Sequence, residues 1–290
     1  GADPLTFAKR VEMGVKPAGL LFTKVVKCHM HPFQRSVYDE AILDKDDTLD
    51  RRSEAVANFV FPGLSDDRKS IVGYYGRTGI GVIKGHIKNH YENLNKRIAT
   101  DILTDIDLES DTDLLYMSES GKTITGSILK AKYLKYFSTK FYRALKKIKR
   151  LVWGKKGAST AFVYSNLVKV GIELFQEILI QNGYLEYQEN PNNYTIGPNT
   201  ICYYCGRTYK EHQQDKLKAT PILSRVNKNE SDQGSDSSTE YKKPTNKMPA
   251  HQYYPAAFIS VTGKSSEESA ELIPEDKQRT LDTVFNNIEN

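Results

Sequence analysis

The chain is predicted to adopt an α/β fold, with helices packed on a parallel sheet, and three observations predict it. Residues 138–187 read as a basic amphipathic helix, a short apolar strand and a second amphipathic helix. A further apolar strand candidate returns at 256–262, and 277–288 again carries helical periodicity. Helices and strands that alternate along a chain argue for a layered sheet rather than a bundle.

With 290 residues and 10% aromatics, the chain can build at least one core and has room for two domains. Its net charge of +5 is unevenly spread: 120–172 holds thirteen Lys or Arg and no Asp or Glu, which leaves the remainder at −8. So one-sided a field suits a polyanion, and a merely solvated helix face is the competing reading. Three cysteines, Cys28, Cys202 and Cys205, are too few for a disulfide scaffold and point to a reducing compartment. No apolar run approaches the roughly 20 residues of a membrane span, and no signal-peptide pattern is visible. The chain opens Gly1-Ala2-Asp3-Pro4 and stops inside a helical pattern at Asn290, so it is expected to be a piece of something longer.

Taken in order, 19–27 (GLLFTKVVK) is a strand candidate because β-branched and aromatic residues cluster there. In 28–42, Phe33, Val37, Tyr38 and Ile42 recur at helical spacing behind Pro32, a helix-start residue. Cys28, His29 and His31 invite a metal reading, but on an extended chain Cys28 faces away from both histidines. The segment 58–63 (NFVFPG) is extended and ends in a turn. Five glycines in 73–85 suggest a phosphate cradle, yet no GxxxxGK with a following hydroxyl occurs, so a structural loop is expected, with Arg77 as the phosphate contact in the other reading. The acidic run at 101–119 reads as a solvated linker.

In the central stretch Phe141, Leu145, Ile148 and Val152 share one helix face, with Ser138 as N-cap. Ala161-Phe162-Val163-Tyr164 reads as a buried parallel strand. Val168, Ile172, Phe175 and Leu179 then form a second stripe, stopped at Asn182-Gly183, a good left-handed C-cap pair.

Cys202-x-x-Cys205 with Gly206 directly after it lets two thiolates reach one tetrahedral zinc. His212 and, after a long break, His251 complete a Cys2His2 set; a metal-free reduced thiol pair and a redox pair are the other readings. Residues 226–249 are polar and expected to be disordered, which makes the segment an insertion rather than a tail.

These residues carry a resemblance. The basic helix, F-V-Y-S-N at 162–166, the helix stop at Asn182-Gly183, and the later V-T-G and Gln-Arg helix resemble the first half of the second RecA-like domain of a superfamily 2 helicase. V-x-K-C-H-M at 25–30 followed by Gln34 and Tyr38, N-F-V-F-P-G, Gly76 with Gly79, Ser138 with Lys140, C-Y-Y-C-G, and H-x-Y-x-P-A-A-F at 251–258 resemble more closely the large-DNA-virus helicases related to the poxvirus early transcription factor large subunit and nucleoside triphosphatase.

The resemblance implies a partial RecA-like domain with a small zinc-binding insertion and an N-terminal α+β linker region. It divides the chain into an inter-domain segment (1–60), an accessory region (61–127), the first half of the RecA-like domain (128–200), a zinc-knuckle insertion (201–255) and a return to the domain (256–290). It also implies contacts to a DNA or RNA backbone by Lys140, Arg143, Lys146, Lys147, Ser165 and Thr262, and a structural zinc on Cys202, Cys205, His212 and His251. Phe162 and Val163 serve equally as plain core strand. No Walker A, D-E-x-H box or arginine-rich motif is present, so ATP and Mg are expected only with other parts of a longer parent, and no catalytic residue is assigned. Expected partners are nucleic acid and viral RNA polymerase or other transcription subunits, with no membrane, in host cytoplasm or virion. The alternative is a zinc-stabilised protein-interaction module of a viral transcription complex.

Overall fold

The computed structural model describes residues 25–43, 51–108, 113–118, 121, 123–152, 160–217, 251–261 and 275–285. Helix α1 (Pro32–Leu43) starts on its proline and turns Gln34, Val37 and Ala41 inward. Ile42, expected on the buried stripe, is instead exposed. Gln34 takes the inward place because backbone groups there satisfy its amide: Nε2 donates to Val56 O at 3.0 Å, and Oε1 accepts from Thr139 N at 3.1 Å. Helix α2 (Arg51–Asn58) supplies Val56, which packs with Val37, Ala41 and Val60 as a small separate cluster. Residues 25–27 of the expected first strand pair with no strand among the described residues, and 19–24 lie outside them.

Strands β1 (Phe61–Leu64) and β2 (Ile71–Tyr74) form an antiparallel hairpin in the register Phe61↔Tyr74 to Leu64↔Ile71. Its glycines allow close approach: a Cβ on Gly73 would lie 2.2 Å from Val37 Cγ2.

The glycine-rich stretch that follows is not a loop. Helix α3 (Gly76–Asp101) begins inside it and buries Gly79, Ile83, Ile87, Leu94 and Ile98, with one kink at His90. Each interior glycine costs a helix about 1 kcal/mol, and burying four large aliphatic side chains, at roughly 1.5–3 kcal/mol each, outweighs that. Arg77 lies in the first turn of this helix.

Strands β3 (Tyr116–Met117) and β4 (Ile124–Thr125) pair antiparallel. They are held to α3 by Asn95, whose Oδ1 accepts from Leu114 N and Leu115 N, both at 2.9 Å. Two acidic side chains from the expected solvated linker are anchored: Asp105 accepts from Tyr136 Oη at 2.8 and 2.9 Å, and Asp113 accepts from Tyr91 Oη. Helices α4 (Ala131–Phe137) and α5 (Thr139–Val152) meet at Ser138, whose Oγ accepts from Phe141 N at 3.0 Å as the N-cap expected of it. Phe141 and Leu145 are buried on the core side of α5.

The expected buried strand at 161–164 is corrected. These residues are unpaired, with Phe162 91% and Tyr164 77% exposed. A strand is a property of a pair, and among the described residues none runs beside this one. A π-helical segment (Val168–Glu173) then leads into α6 (Leu174–Gln181). Its wider turn rotates the apolar face, so Val170, Leu174, Phe175, Ile178 and Leu179 are buried while Val168 is exposed. The stop at Asn182-Gly183 is as expected: Gly183 has φ +88°, Tyr184 N donates to Leu179 O and Gly183 N to Ile180 O, both at 3.0 Å.

The parallel pairing occurs elsewhere than expected. Strand β5 (Leu185–Glu186) runs parallel to β6 (Ala257–Phe258), so the returning segment pairs with the chain just after α6, not with 161–164. The fold is thus mixed helix and sheet with a small parallel sheet. Helix α7 (Tyr209–Leu217) lies in the knuckle region. The last described helix, α8 (Glu275–Thr280), ends in a π-helical turn (Leu281–Phe285) and packs back on the sheet end, Phe285 against Tyr187 at 5.8 Å.

Candidate metal centre and basic helix

The segment after β5 folds back on itself. Ile201 bridges Thr208, Cys202 N donates to Arg207 O at 2.7 Å, and Gly206, at φ +67°, makes the reversal. This tight turn brings Cys202 and Cys205 to one side. Helix α7 starts immediately: Thr208 Oγ1 caps Glu211 N at 3.3 Å, and Glu211 Oε2 accepts from Thr208 N at 2.9 Å, a reciprocal capping box that aims His212 inward. The T-x-x-E signature was readable at 208–211.

The fourth residue arrives from far along the chain. Tyr203 N donates to Tyr254 O at 2.7 Å and Ala256 N to Ile201 O at 2.8 Å, so 254–256 lies between the knuckle and β5. His251 stands just before this segment.

The four side chains expected to ligate together do converge: one donor atom from each of Cys202, Cys205, His212 and His251 lies within 4.8 Å of the others. The first three are nearly inaccessible. Within the set, His212 Nε2 and His251 Nε2 are 3.3 Å apart, and Cys202 Sγ is 3.5 Å from His251 Nε2. A tetrahedral ion with metal–nitrogen bonds of about 2.0–2.1 Å and metal–sulfur bonds of about 2.3 Å sets such atoms about 3.3 and 3.6 Å apart, so the spacing fits a metal ion. The Cys205 thiol donates to the Cys202 sulfur, which holds Cys202 well below the ordinary thiol range and, with burial, pushes Cys205 up. Among the described residues no other group of three or more such side chains gathers; His31 instead packs on the Tyr136 ring at 4.1 Å.

The residues expected to meet a nucleic-acid backbone are more dispersed. Lys140, on α5, points its Nζ to Asn58 Oδ1 at 2.6 Å and is thereby tied to the end of α2. Lys146 Nζ lies 5.4 Å from the Tyr142 ring centre, Lys147 is exposed, and Arg143 is half-buried. Lys149, not singled out from sequence, is also half-buried, and burial lowers its pKa. Ser165 Oγ accepts from Leu167 N at 3.2 Å, and a Cβ on Gly171 would lie 2.4 Å from that oxygen, so the hydroxyl is turned inward. Thr262 lies outside the described residues.

The clipping roles of Gln34, Asn95 and Asn182 escaped sequence reading, although Gln34 and Asn182 stand out there for other reasons, since no spacing rule flags an amide whose partners are distant backbone groups. Among the described residues no helix is long and apolar enough to cross a membrane.

No protein-family profile matches the chain, and no solved structure does. It is 50% identical, over 292 aligned positions covering all of this chain, to a protein of Acanthamoeba polyphaga mimivirus that carries the provisional name ATP-dependent RNA helicase; the chain spans 23% of that relative's length.

Proposed function

We propose that this chain is a nucleic-acid-binding segment of a viral ATP-dependent helicase or translocase acting in transcription or replication, with a structural zinc held by Cys202, Cys205, His212 and His251. The similarity to the mimivirus protein across the whole chain supports the helicase reading. The metal-like spacing of four donors, three of them buried, supports the zinc, because a Cys2His2 set with no open position suits a structural ion.

In this reading 128–200 and 256–290 contribute part of a RecA-like domain, 201–255 is the zinc-knuckle insertion, and 1–60 and 61–127 lead into it. Arg143, Lys146 and Lys147 make the backbone contacts, with Ser165 and Thr262 at segment ends, while Lys140 is held by Asn58 and serves the scaffold. ATP and Mg act only with other parts of a longer parent, which would work in host cytoplasm or virion beside transcription subunits.

Titration of single-stranded and duplex DNA and RNA over a range of salt tests the proposal. Affinity that falls steeply with salt is expected, since neutralised phosphates release counterions. A second reading, a zinc-stabilised protein-interaction module, is favoured by the exposure of Phe162 and Tyr164; absent or salt-insensitive binding would select it.

A further inference from the structure

We propose that Tyr253 is a positioning residue for the metal, holding the His212 imidazole in the orientation that presents Nε2 to the other three ligands. The inference rests on the zinc reading above.

His212 projects from the first turn of α7 and faces His251 through Nε2. A ring on a single Cβ keeps two side-chain rotations, and a ligand that must be reoriented binds its ion less tightly. Tyr253 removes that freedom. Its ring meets the His212 ring edge-on, at 5.4 Å and 79°, and meets Tyr209 on the same helix at 4.8 Å and 75°. The tyrosine is fixed in turn, because Oη donates to Thr200 O at 3.1 Å. That same carbonyl accepts from Tyr209 N at 2.7 Å, so one backbone oxygen just before the knuckle sets both the start of the histidine's helix and the ring that backs the histidine. Tyr253 also lies two residues after His251, so one short segment carries a ligand and the support for the ligand opposite it.

The test measures zinc affinity by chelator competition on the whole chain, and the visible spectrum of the Co²⁺-loaded protein, for Tyr253→Phe, Tyr253→Leu and Tyr253→Ala. Loss of a supporting contact of this kind weakens metal binding by about 10–100-fold, so that loss is expected in Ala and Leu, with weaker tetrahedral cobalt bands. Phe keeps the ring and is expected to stay near the parent protein. If Ala does not fold, the Leu and Phe pair decides. Equal affinity in Leu and Phe overturns the inference and leaves the zinc reading intact, as does an equal loss in both, because the ring contact survives in Phe. A parent chain that binds neither zinc nor cobalt overturns both.

Discussion

The Nε2 atoms of His212 and His251 lie 3.3 Å apart although 39 residues separate them in the chain. Closing so long an excursion costs about 3 kcal/mol of chain entropy, and the two-residue parallel pair β5–β6 is a thin fastening for it. A metal on these histidines would clamp both ends of the excursion.

The first prediction concerns that clamp. Purified protein never exposed to chelator should carry about one zinc per chain. Chelation should raise amide exchange across 251–258 while leaving 61–74 protected, as should Cys205→Ser and His251→Ala. Exchange unchanged by chelation would show that the ion does not fasten this region.

Gln34 is the second test. It is fully buried and joins the end of α2 to the start of α5 through Val56 O and Thr139 N. Gln34→Ala leaves both groups unpaired in the interior and should destabilise by about 2–4 kcal/mol. Gln34→Glu should be at least as harmful, since it buries a charge beside Val56 O. Urea midpoints measure both; a shift within error in either would contradict the clip.

Basic residues should separate into two classes. Lys147→Ala should weaken nucleic-acid binding and lower the salt slope by about 0.7–0.9, the share of one phosphate contact. Lys140→Ala should instead chiefly reduce thermal stability, because it strips the buried Asn58 Oδ1 of its donor. The reverse pattern, with Lys140 governing the slope, would mean that its bond to Asn58 gives way to phosphate.

Stability should fall on the acid side of neutrality. His86 Nδ1 accepts from Leu64 N at 3.2 Å, which only the neutral ring can do, and burial lowers its pKa, with His90 and Arg68 adding to the effect. Burial and then Lys135 lower His31 likewise. When a base has a folded pKa below its unfolded value of 6.5, the unfolded chain takes the proton first. The stabilisation is therefore complete above that value and lost as pH drops through the folded one. Urea midpoints should decline from about pH 7 to about pH 5. His86→Asn, which keeps an acceptor that does not titrate, should flatten the decline; an unaltered slope would clear His86.

Gly183→Ala should cost about 2 kcal/mol or more. The position has φ +88°, and a Cβ there would lie 2.2 Å from Asn199 O, so strain and collision add. Calorimetry of the variant checks this, and an unchanged melting temperature would contradict the turn geometry.

What the sequence determined by itself was local chemistry and the identity of the metal candidates. Ser138 as a cap and Asn182-Gly183 as a stop follow from short-range hydrogen bonding and backbone sterics, which operate within a few residues and leave a readable pattern. Cys202, Cys205, His212 and His251 were nameable because few residue types bind a metal well. Only the tertiary structure decided which strands pair, that 161–164 stands unpaired while 185–186 meets 257–258, that glycines at 76–85 sit in a helix, and that Lys140 answers to Asn58. Each of these depends on a partner tens of residues away, and an apolar run or a cation reads the same in sequence whatever finally lies against it.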